Sequence, residues 1–369
     1  MTNIYRATMK KYIYLILLII NFVSCKEVYD PELVSQRPLL VVDGLITDEL
    51  KAHKIKLSRT VRFDSLTQIP ETGATVYVQN QKGETFMFNE KISGNYYSDT
   101  SKFRPMTGDK YSLFINTKDG KTYTSNEQEL LPKLSLKHIS NKAGEVPYYL
   151  TVENKVKKYN INGADFTATQ TINSQQETYC RFSNTMLVEF TSITEGVLSY
   201  CWRQYEASVY PIISEIQNSN IGEFQHKLGF MPLNVYFFGI YHFSRIEGRP
   251  PREIFTYNYL YHYFVTIKQY HMNKNIFDTY NLINKQLKAE DKIFDPVNLQ
   301  IGGNIKCTSD PKEPVYGLFD VSSVSINTFM IDSYSNNGVY NLTPLKPIDF
   351  DTIPKTGFVP NVAPVTWIR

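Results

Sequence analysis

The sequence has few cysteines and histidines, and it lacks the motifs of the common catalytic and cofactor-binding sites. Its 369 residues include four cysteines and six histidines. No Cys/His set has the spacing of zinc ligands, which argues against a structural zinc site. The glycine patterns of dinucleotide- and phosphate-binding loops are absent, as are the nucleophile motif G-x-S-x-G and the metalloprotease motif H-E-x-x-H. We therefore predict no enzymatic activity, no metal and no other cofactor.

The apolar stretch near the start is too short to cross a membrane. Residues 9–30 read MKKYIYLILLIINFVSCKEVYD, with two lysines before about a dozen mostly apolar residues. A spanning helix needs about 20 apolar residues, whereas this order is that of a secretory signal. The residues FVS before Cys25 resemble a bacterial lipobox, so we predict a signal peptide over residues 1–24 and lipidation at Cys25. The alternative is an ordinary secretory signal with an incidental cysteine.

The chain also has little net charge. The formal value is +3, and residues 1–24 contain Arg6, Lys10 and Lys11 but no acid. Removing this segment leaves the mature chain near neutral. Nucleic-acid binding by counterion release needs a surplus of clustered cations. We therefore predict no nucleic-acid partner.

A lysine and an acid directly follow the predicted lipidation site. Lys26 and Glu27 are similar to the signal that sends lipoproteins of Bacteroidota to the cell surface. We predict a lipid-anchored outer-membrane protein that faces the cell surface, with the inner leaflet as the alternative. Residues 25–38 form a polar, lipidated tether in this interpretation.

Short segments of alternating polarity begin at residue 39. Val76 and Val78, for example, fall on one face of the segment ATVYVQN. Turn sequences such as Asp119-Gly120 separate these segments. Seven strands in about 90 residues predict an immunoglobulin-like or transthyretin-like β-sandwich over residues 39–132.

The rest of the chain predicts a second β-rich domain with one amphipathic helix, over residues 133–341. Asn273 is a candidate N-cap, and apolar residues then recur at steps of three and four up to Leu287. This pattern predicts a helix over residues 273–289. Residues 342–369 contain five prolines and form a proline-rich C-terminal segment. The predicted fold class is therefore mainly β.

Three cysteines lie beyond Cys25, at positions 180, 201 and 307. In an oxidising envelope, Cys180 and Cys201 are candidates for a disulfide that closes a loop of about 20 residues. The state of Cys307 stays open.

Aromatic residues are concentrated in the segment 236–264. Five of them occupy successive odd positions, so that a strand would present them on one face: Phe255, Tyr257, Tyr259, Tyr261 and Tyr263. Tyrosine offers rigid apolar area with a polar tip, which suits a contact surface for a ligand or protein. The alternative, which we favour, is that the row fills the packed face of the sheet.

Several segments, in a fixed order, carry a resemblance to a known family. They include LLVVDGLI (39–46), GATVYVQNQKG (73–83), GDKYSLFI (108–115), FDPVNLQIGGNI (294–305) and PVYGLFDVSSVS (314–325). Together with the lipobox they resemble the Bacteroidota outer-membrane lipoprotein family filed as domain of unknown function 4249, over nearly the whole mature chain. Members of that family are typically encoded beside a TonB-dependent outer-membrane receptor. The resemblance therefore implies an accessory lipoprotein of an uptake system, and it implies no catalytic residues.

Three functions remain open on the sequence. The first is a binding or accessory subunit that docks on a TonB-dependent receptor, with an unknown ligand. The second is an envelope hydrolase acting on glycans or peptides, whose carboxylates would come from Glu189, Glu206, Glu215 and Glu223. The third is a surface adhesin or assembly factor.

Overall fold

The computed structural model describes ten parts of the chain. These are residues 38–61, 68–152, 155–172, 177–194, 197–206, 211–216, 222–233, 261–289, 301–346 and 356–360. The predicted lipidation site Cys25 and the export signal Lys26 and Glu27 lie outside them.

The described residues form strands and one helix, so the predicted mainly β class with a single helix is confirmed. In chain order the strands are β1 (Leu40–Ile46), β2 (Lys54–Arg59), β3 (Ile69–Pro70), β4 (Thr75–Asn80), β5 (Thr85–Ile92), β6 (Asn95–Ser98), β7 (Lys110–Asn116), β8 (Thr122–Ser125), β9 (Gln128–Glu129), β10 (Leu136–Val152), β11 (Lys155–Ile172), β12 (Thr178–Thr194), β13 (Val197–Glu206), β14 (Ile212–Ile216), β15 (Gly222–Pro232), β16 (Tyr261–His271), β17 (Ile305–Cys307), β18 (Tyr316–Val321), β19 (Ser323–Asn336), β20 (Val339–Leu345) and β21 (Thr356–Pro360). The helix α1 (Lys274–Ala289) lies between β16 and β17. No helix among these residues is long and apolar enough to cross a membrane.

The first sheet contains eleven strands around one hydrophobic core. Its main path is β17-β8-β7-β4-β5-β6-β2-β1-β18, with β3 beside β2 and β9 beside β7. The alternation read from the sequence sets the inward face, since Val76 and Val78 of β4 are both fully buried. Burying a large aliphatic side chain contributes about 1.5–3 kcal/mol.

The side chain of Asn304 joins the two ends of this path. Its Nδ2 donates to the carbonyl oxygen of Phe319 at 2.8 Å, and its Oδ1 accepts from the Phe319 N–H at 2.8 Å. Asn304 directly precedes β17 and Phe319 lies in β18, so the amide reproduces the pair of hydrogen bonds that two strands would exchange. The sheet is therefore partly barrel-like.

Two glycines allow the backbones to meet at this closure. A Cβ on Gly303 would lie 1.5 Å from the carbonyl oxygen of Gly317. Gly317 has φ +95°, and a Cβ there would lie 1.8 Å from the carbonyl oxygen of Val42. A larger residue at either position would collide with backbone that cannot move aside.

Residues 39–132 alone do not complete the first sheet. β17 and β18 come from the region predicted as the second β-rich domain, and β18 pairs with β1 in parallel, with Val42 opposite Gly317. A parallel neighbour needs a long connection, and here that connection contains the whole three-stranded sheet and strands β12, β13, β14 and β16 of the seven-stranded sheet.

Those two sheets pack face to face. The three-stranded sheet has the order β10-β11-β15, and the seven-stranded sheet has the order β20-β19-β16-β12-β13-β21 with β14 beside β12. Phe166 and Met231 of the first of these meet Phe182, Val265 and Ile331 of the second in one buried cluster.

The helix α1 begins where the sequence predicts it and connects two of the sheets. The carbonyl oxygen of Asn273 accepts from the N–H groups of Ile276 and Phe277 at 3.1 and 3.0 Å. The side-chain amide of Asn273 donates to the carbonyl oxygen of Glu129 at 2.9 Å, and so ties the helix start to β9. Ile276 and Phe277 are buried in a cluster with Leu318 of β18.

Candidate functional site

An open cleft of about 410 Å³ lies at the junction of the first and the seven-stranded sheets. Three parts of the chain line it: Glu49 in the β1–β2 loop, residues 133–136 before and at the start of β10, and residues 324–327 of β19. Its apolar lining comes from Leu134, Leu136, Val324 and Ile326. The volume falls within the range of about 300–1,000 Å³ typical of ligand sites. We refer to it as the junction cleft.

Asp48 positions two of the three walls of the junction cleft. Its Oδ1 accepts from the N–H of Val324 at 2.9 Å, and its Oδ2 lies 3.0 Å from Lys133 Nζ. The side chain of Lys133 is 56% exposed, so its ammonium group remains accessible to a ligand at the rim. The carboxylate of Asp48 thus binds both the backbone of β19 and the side chain of Lys133.

Glu49 carries the charge in the third wall. Its carboxylate lies 2.7 Å from Lys51 Nζ and 3.3 Å from Lys268 Nζ, and it accepts from the Thr47 hydroxyl at 3.0 Å. Burial acts to raise the pKa of Glu49, but the hydrogen bond from Lys51 and the charges of both lysines outweigh it, so that the pKa is lowered. Glu49 is therefore ionised at neutral pH and is unsuited to act as a general acid.

These features give the junction cleft the chemistry of a binding site. Apolar side chains form its floor, and an exposed ammonium group, an ionised carboxylate and the polar side chains of Ser325 and Asn327 stand around it. Ligand pockets in general combine apolar walls with a few polar groups of this kind.

A buried ion pair fixes the same two sheets to each other near the helix. Arg181 Nη2 of β12 lies 3.7 Å from Asp320 Oδ2 of β18, with side-chain exposures of 14% and 2%. The guanidinium lies over the rings of Tyr270 and Tyr280, at 4.1 and 5.1 Å from their centroids. Burial raises the pKa of Asp320, although Arg181 and a hydrogen bond from Ser322 oppose this. The arrangement resists relative movement of the sheets that form the junction cleft.

A buried polar network joins the three-stranded and seven-stranded sheets. His226 Nδ1 lies 2.8 Å from Ser214 Oγ, and its Nε2 lies 3.1 Å from Gln170 Oε1. Gln170 Oε1 also accepts from Gln269 Nε2 at 2.8 Å. Since an amide oxygen only accepts, Nε2 carries the proton and Nδ1 accepts from Ser214. Burial lowers the pKa of His226 to about 4, so the ring is neutral at neutral pH.

The predicted disulfide between Cys180 and Cys201 is wrong. Cys180 is a free, buried thiol, and Phe190 of β12 is the residue that lies opposite Cys201 of β13. Ten residues of extended strand separate Cys180 from Phe190, which is about 33 Å, whereas the Cα atoms of a disulfide lie within about 7 Å. Cys307, whose state the sequence left open, is also free and buried.

The aromatic row contributes to the core at the one position whose side chain is described. Tyr263 is 1% exposed and packs in the cluster between the two smaller sheets. The contact-surface interpretation is therefore wrong for Tyr263, and the favoured packing interpretation is right there. Tyr261 is placed only by its backbone in β16. Phe255, Tyr257 and Tyr259 lie outside the described residues.

The four glutamates considered for a hydrolase are dispersed. Glu215 lies opposite Tyr179, ten residues along β12 from Glu189, which is about 33 Å. Glu206 lies opposite Thr185, about 13 Å along the strand from Glu189. Paired glycosidase carboxylates stand about 5–9.5 Å apart. Glu223 belongs to the other sheet, where it forms an ion pair with Lys137.

The residues of the junction cleft and of the buried ion pair were not found from the sequence. They come from positions as distant as Asp48 and Val324, and the contact between them depends on the parallel pairing of β1 with β18. One signal was present: Asp320 interrupts the segment YGLFDV, which is otherwise glycine, apolar or aromatic. Within the described ranges, no group of three or more His, Cys, Asp or Glu side chains could hold a metal ion.

Comparison with known proteins places the chain in a family but assigns it no activity. No curated protein and no solved structure matches it. One family model, described as "Domain of unknown function (DUF4249)", matches residues 26–328. The match includes the three parts of the chain that line the junction cleft, as well as Arg181 and Asp320. The chain belongs to this family of unknown function, DUF4249.

Proposed function

We propose that this protein is an outer-membrane lipoprotein that faces the cell surface and serves as a binding or accessory subunit of a TonB-dependent uptake system. The observation that carries the proposal is the start of the family match at residue 26, directly after Cys25. Lipobox cleavage would leave Cys25 as the mature N-terminus, one residue before the shared domain begins. The apolar stretch before Cys25 lies outside the match, as expected for a signal that is removed.

The junction cleft supports a role in binding. It combines an apolar floor with a lysine that is accessible at the rim. Its one carboxylate, Glu49, is held ionised by two lysines, an arrangement that suits recognition of a ligand and not proton transfer. The buried Arg181–Asp320 pair keeps the walls fixed, which lowers the entropic cost of binding.

Affinity purification tests the proposal in the cell that makes the protein. A C-terminally tagged full-length chain is purified from the outer membrane in mild detergent, beside the variant Cys25→Ala. The wild-type chain should retain a β-barrel receptor in near-equal amount, because a stable complex buries more than about 1,000 Å². The variant should lose both the membrane fraction and the receptor. Recovery of the wild-type chain from the membrane without any β-barrel protein contradicts the accessory role.

A further inference from the structure

A two-stranded ribbon extends beyond the three-stranded sheet. β10 and β11 continue to pair from Glu145 opposite Asn162 to Val152 opposite Lys155, which is eight residue pairs, whereas the pairing of β15 with β11 stops at Gly163. At about 3.3 Å per residue, these eight pairs extend about 26 Å. Among the described residues no third strand pairs with them, although the N–H of Leu233, directly after β15, still donates to the carbonyl oxygen of Asn162 at 2.9 Å. We refer to residues 145–152 and 155–162 as the projecting ribbon.

A pair of glycines marks the base of the projecting ribbon. Gly144 and Gly163 lie opposite each other, one pair before the ribbon begins. A Cβ on Gly163 would lie 2.2 Å from the carbonyl oxygen of Met231, so β15 approaches too closely there for any side chain. Glycine within a strand is typical of such close approaches and of bends. The ribbon therefore begins where the third strand ends.

The projecting ribbon carries apolar groups that are open to solvent. Tyr149 is 60% exposed and Val156 is 69% exposed. Tyr149 lies opposite Lys158, and Val156 is two residues from Lys158 along β11, so that the side chains of Tyr149, Val156 and Lys158 share one face of the ribbon. A two-stranded ribbon is marginally stable in water by itself. Contact with another surface would both cover these groups and stabilise the ribbon.

The charges of the projecting ribbon indicate that the surface it contacts is acidic. Lys155, Lys157 and Lys158 are exposed, and none of them forms an ion pair with a described side chain. Three clustered cations favour an acidic partner and steer its approach. The two residues between the strands are Glu153 and Asn154, and such a polar connection favours a protein surface over insertion into lipid.

We infer that the projecting ribbon is the docking surface for an acidic face of the membrane partner. This inference rests on the proposed function, which supplies the partner. Tyr149 acts as the apolar anchor, since tyrosine is enriched among the residues that dominate interfaces. Lys158 lies opposite it on the same face, and Lys155 and Lys157 project from the other face, so that both faces of the ribbon carry cations.

Charge reversal tests the inference in the same purification. The variant Lys155→Glu/Lys157→Glu/Lys158→Glu should recover at least tenfold less β-barrel receptor than the wild-type chain. The matched control Lys82→Glu/Lys91→Glu/Lys102→Glu changes the net charge equally at lysines of the first sheet, and should recover within twofold of the wild-type amount. Circular dichroism of both purified variants verifies that each is folded. Equal recovery by both variants overturns the docking role of the ribbon.

Site-specific crosslinking gives an independent readout. Benzoylphenylalanine replaces Tyr149 in one chain and Ile92 in another, since Ile92 is 63% exposed on β5 of the first sheet. Irradiation should join the receptor to the chain that carries the probe at position 149, and not to the one at position 92. If the wild-type chain recovers the receptor while position 149 gives no crosslink, the ribbon inference fails and the proposed function stands. If the wild-type chain recovers no receptor, both fail.

Discussion

Arg181 and Asp320 form a buried ion pair between two sheets, and removing either partner alone should be costly. Arg181→Met leaves the carboxylate of Asp320 buried without its cation, and the expected loss is about 3–5 kcal/mol of unfolding free energy. The double variant Arg181→Met/Asp320→Leu should recover most of this loss, because no unpaired charge remains. Urea unfolding of the two single variants and the double variant measures the coupling. A double variant no more stable than the worse single variant would show that the pair is not energetically coupled.

His226 should make the stability of the protein depend on pH. Burial lowers its pKa to about 4 in the folded state, whereas an ordinary histidine titrates near 6.5. Its contribution is complete above about pH 6.5 and is lost as the pH falls towards 4, because the unfolded chain takes up the proton first. A difference of about 2.5 units corresponds to about 3 kcal/mol.

Substitution of His226 isolates this contribution. The urea concentration at the unfolding midpoint of the wild-type chain should decrease as the pH is lowered from 6.5 to 4. In His226→Gln this decrease should be smaller. His53 and His271 should retain the rest, since burial also lowers the pKa of His53 to about 4 and lowers that of His271. The matched control is His138→Gln at an exposed position, which should keep the wild-type slope. An identical slope in His226→Gln would refute the assignment.

Cys180 should be unreactive in the folded protein. Burial raises the pKa of its thiol to about 12, and the thiolate is the reactive form. Alkylation should therefore modify Cys180 only after the protein has been unfolded in urea. Peptide mapping without reduction provides the second measurement. A peptide in which Cys180 is joined to Cys201 would restore the disulfide that the strand register excludes.

At the scale of the elements, the closure of the first sheet depends on the side chain of Asn304. Asn304→Ala removes both of its hydrogen bonds with Phe319 and leaves a buried N–H and a buried carbonyl group without partners. Each unsatisfied group costs about 1–3 kcal/mol, so the expected loss for the two groups is about 2–6 kcal/mol.

Hydrogen exchange locates that loss in the structure. The Phe319 amide should exchange faster in Asn304→Ala, while amides of β4 should change only as much as the global stability does. Asn126→Ala is the matched control. Asn126 is exposed, and its backbone N–H, which the substitution keeps, donates to the carbonyl oxygen of Asn304 at 2.7 Å. Unchanged protection at Phe319 would contradict a closure through Asn304.

The elements themselves were largely predictable from local pattern. The alternation in ATVYVQN defines the buried face of β4, and the three- and four-residue spacing after Asn273 defines α1. Both signals depend only on neighbours in the sequence. The interfaces were not predictable, because the pairing of Val42 with Gly317 and the contact of Asp48 with Val324 join residues more than 270 positions apart.

At the scale of the whole molecule, the chain after the predicted signal peptide has a formal net charge near zero. Electrostatic attraction to a partner then depends on where charged side chains are grouped on the surface. With no global surplus of cations, local groups such as Lys155, Lys157 and Lys158 of the projecting ribbon set the electrostatics of contact. The junction cleft and the ribbon lie towards opposite ends of β10, whose first residue, Leu136, lines the cleft. Under the proposed function, a chain anchored at Cys25 would bind a ligand in the cleft while the ribbon contacts a partner.

The attachment at Cys25 is the central claim, and mass spectrometry of the mature N-terminus tests it most directly. The protein is purified from outer membranes and digested, and its N-terminal peptide is identified. The account predicts that Cys25 is the first residue and carries a thioether-linked diacylglycerol. A mature chain that retains residues 1–24, or an unmodified thiol at Cys25, would contradict it.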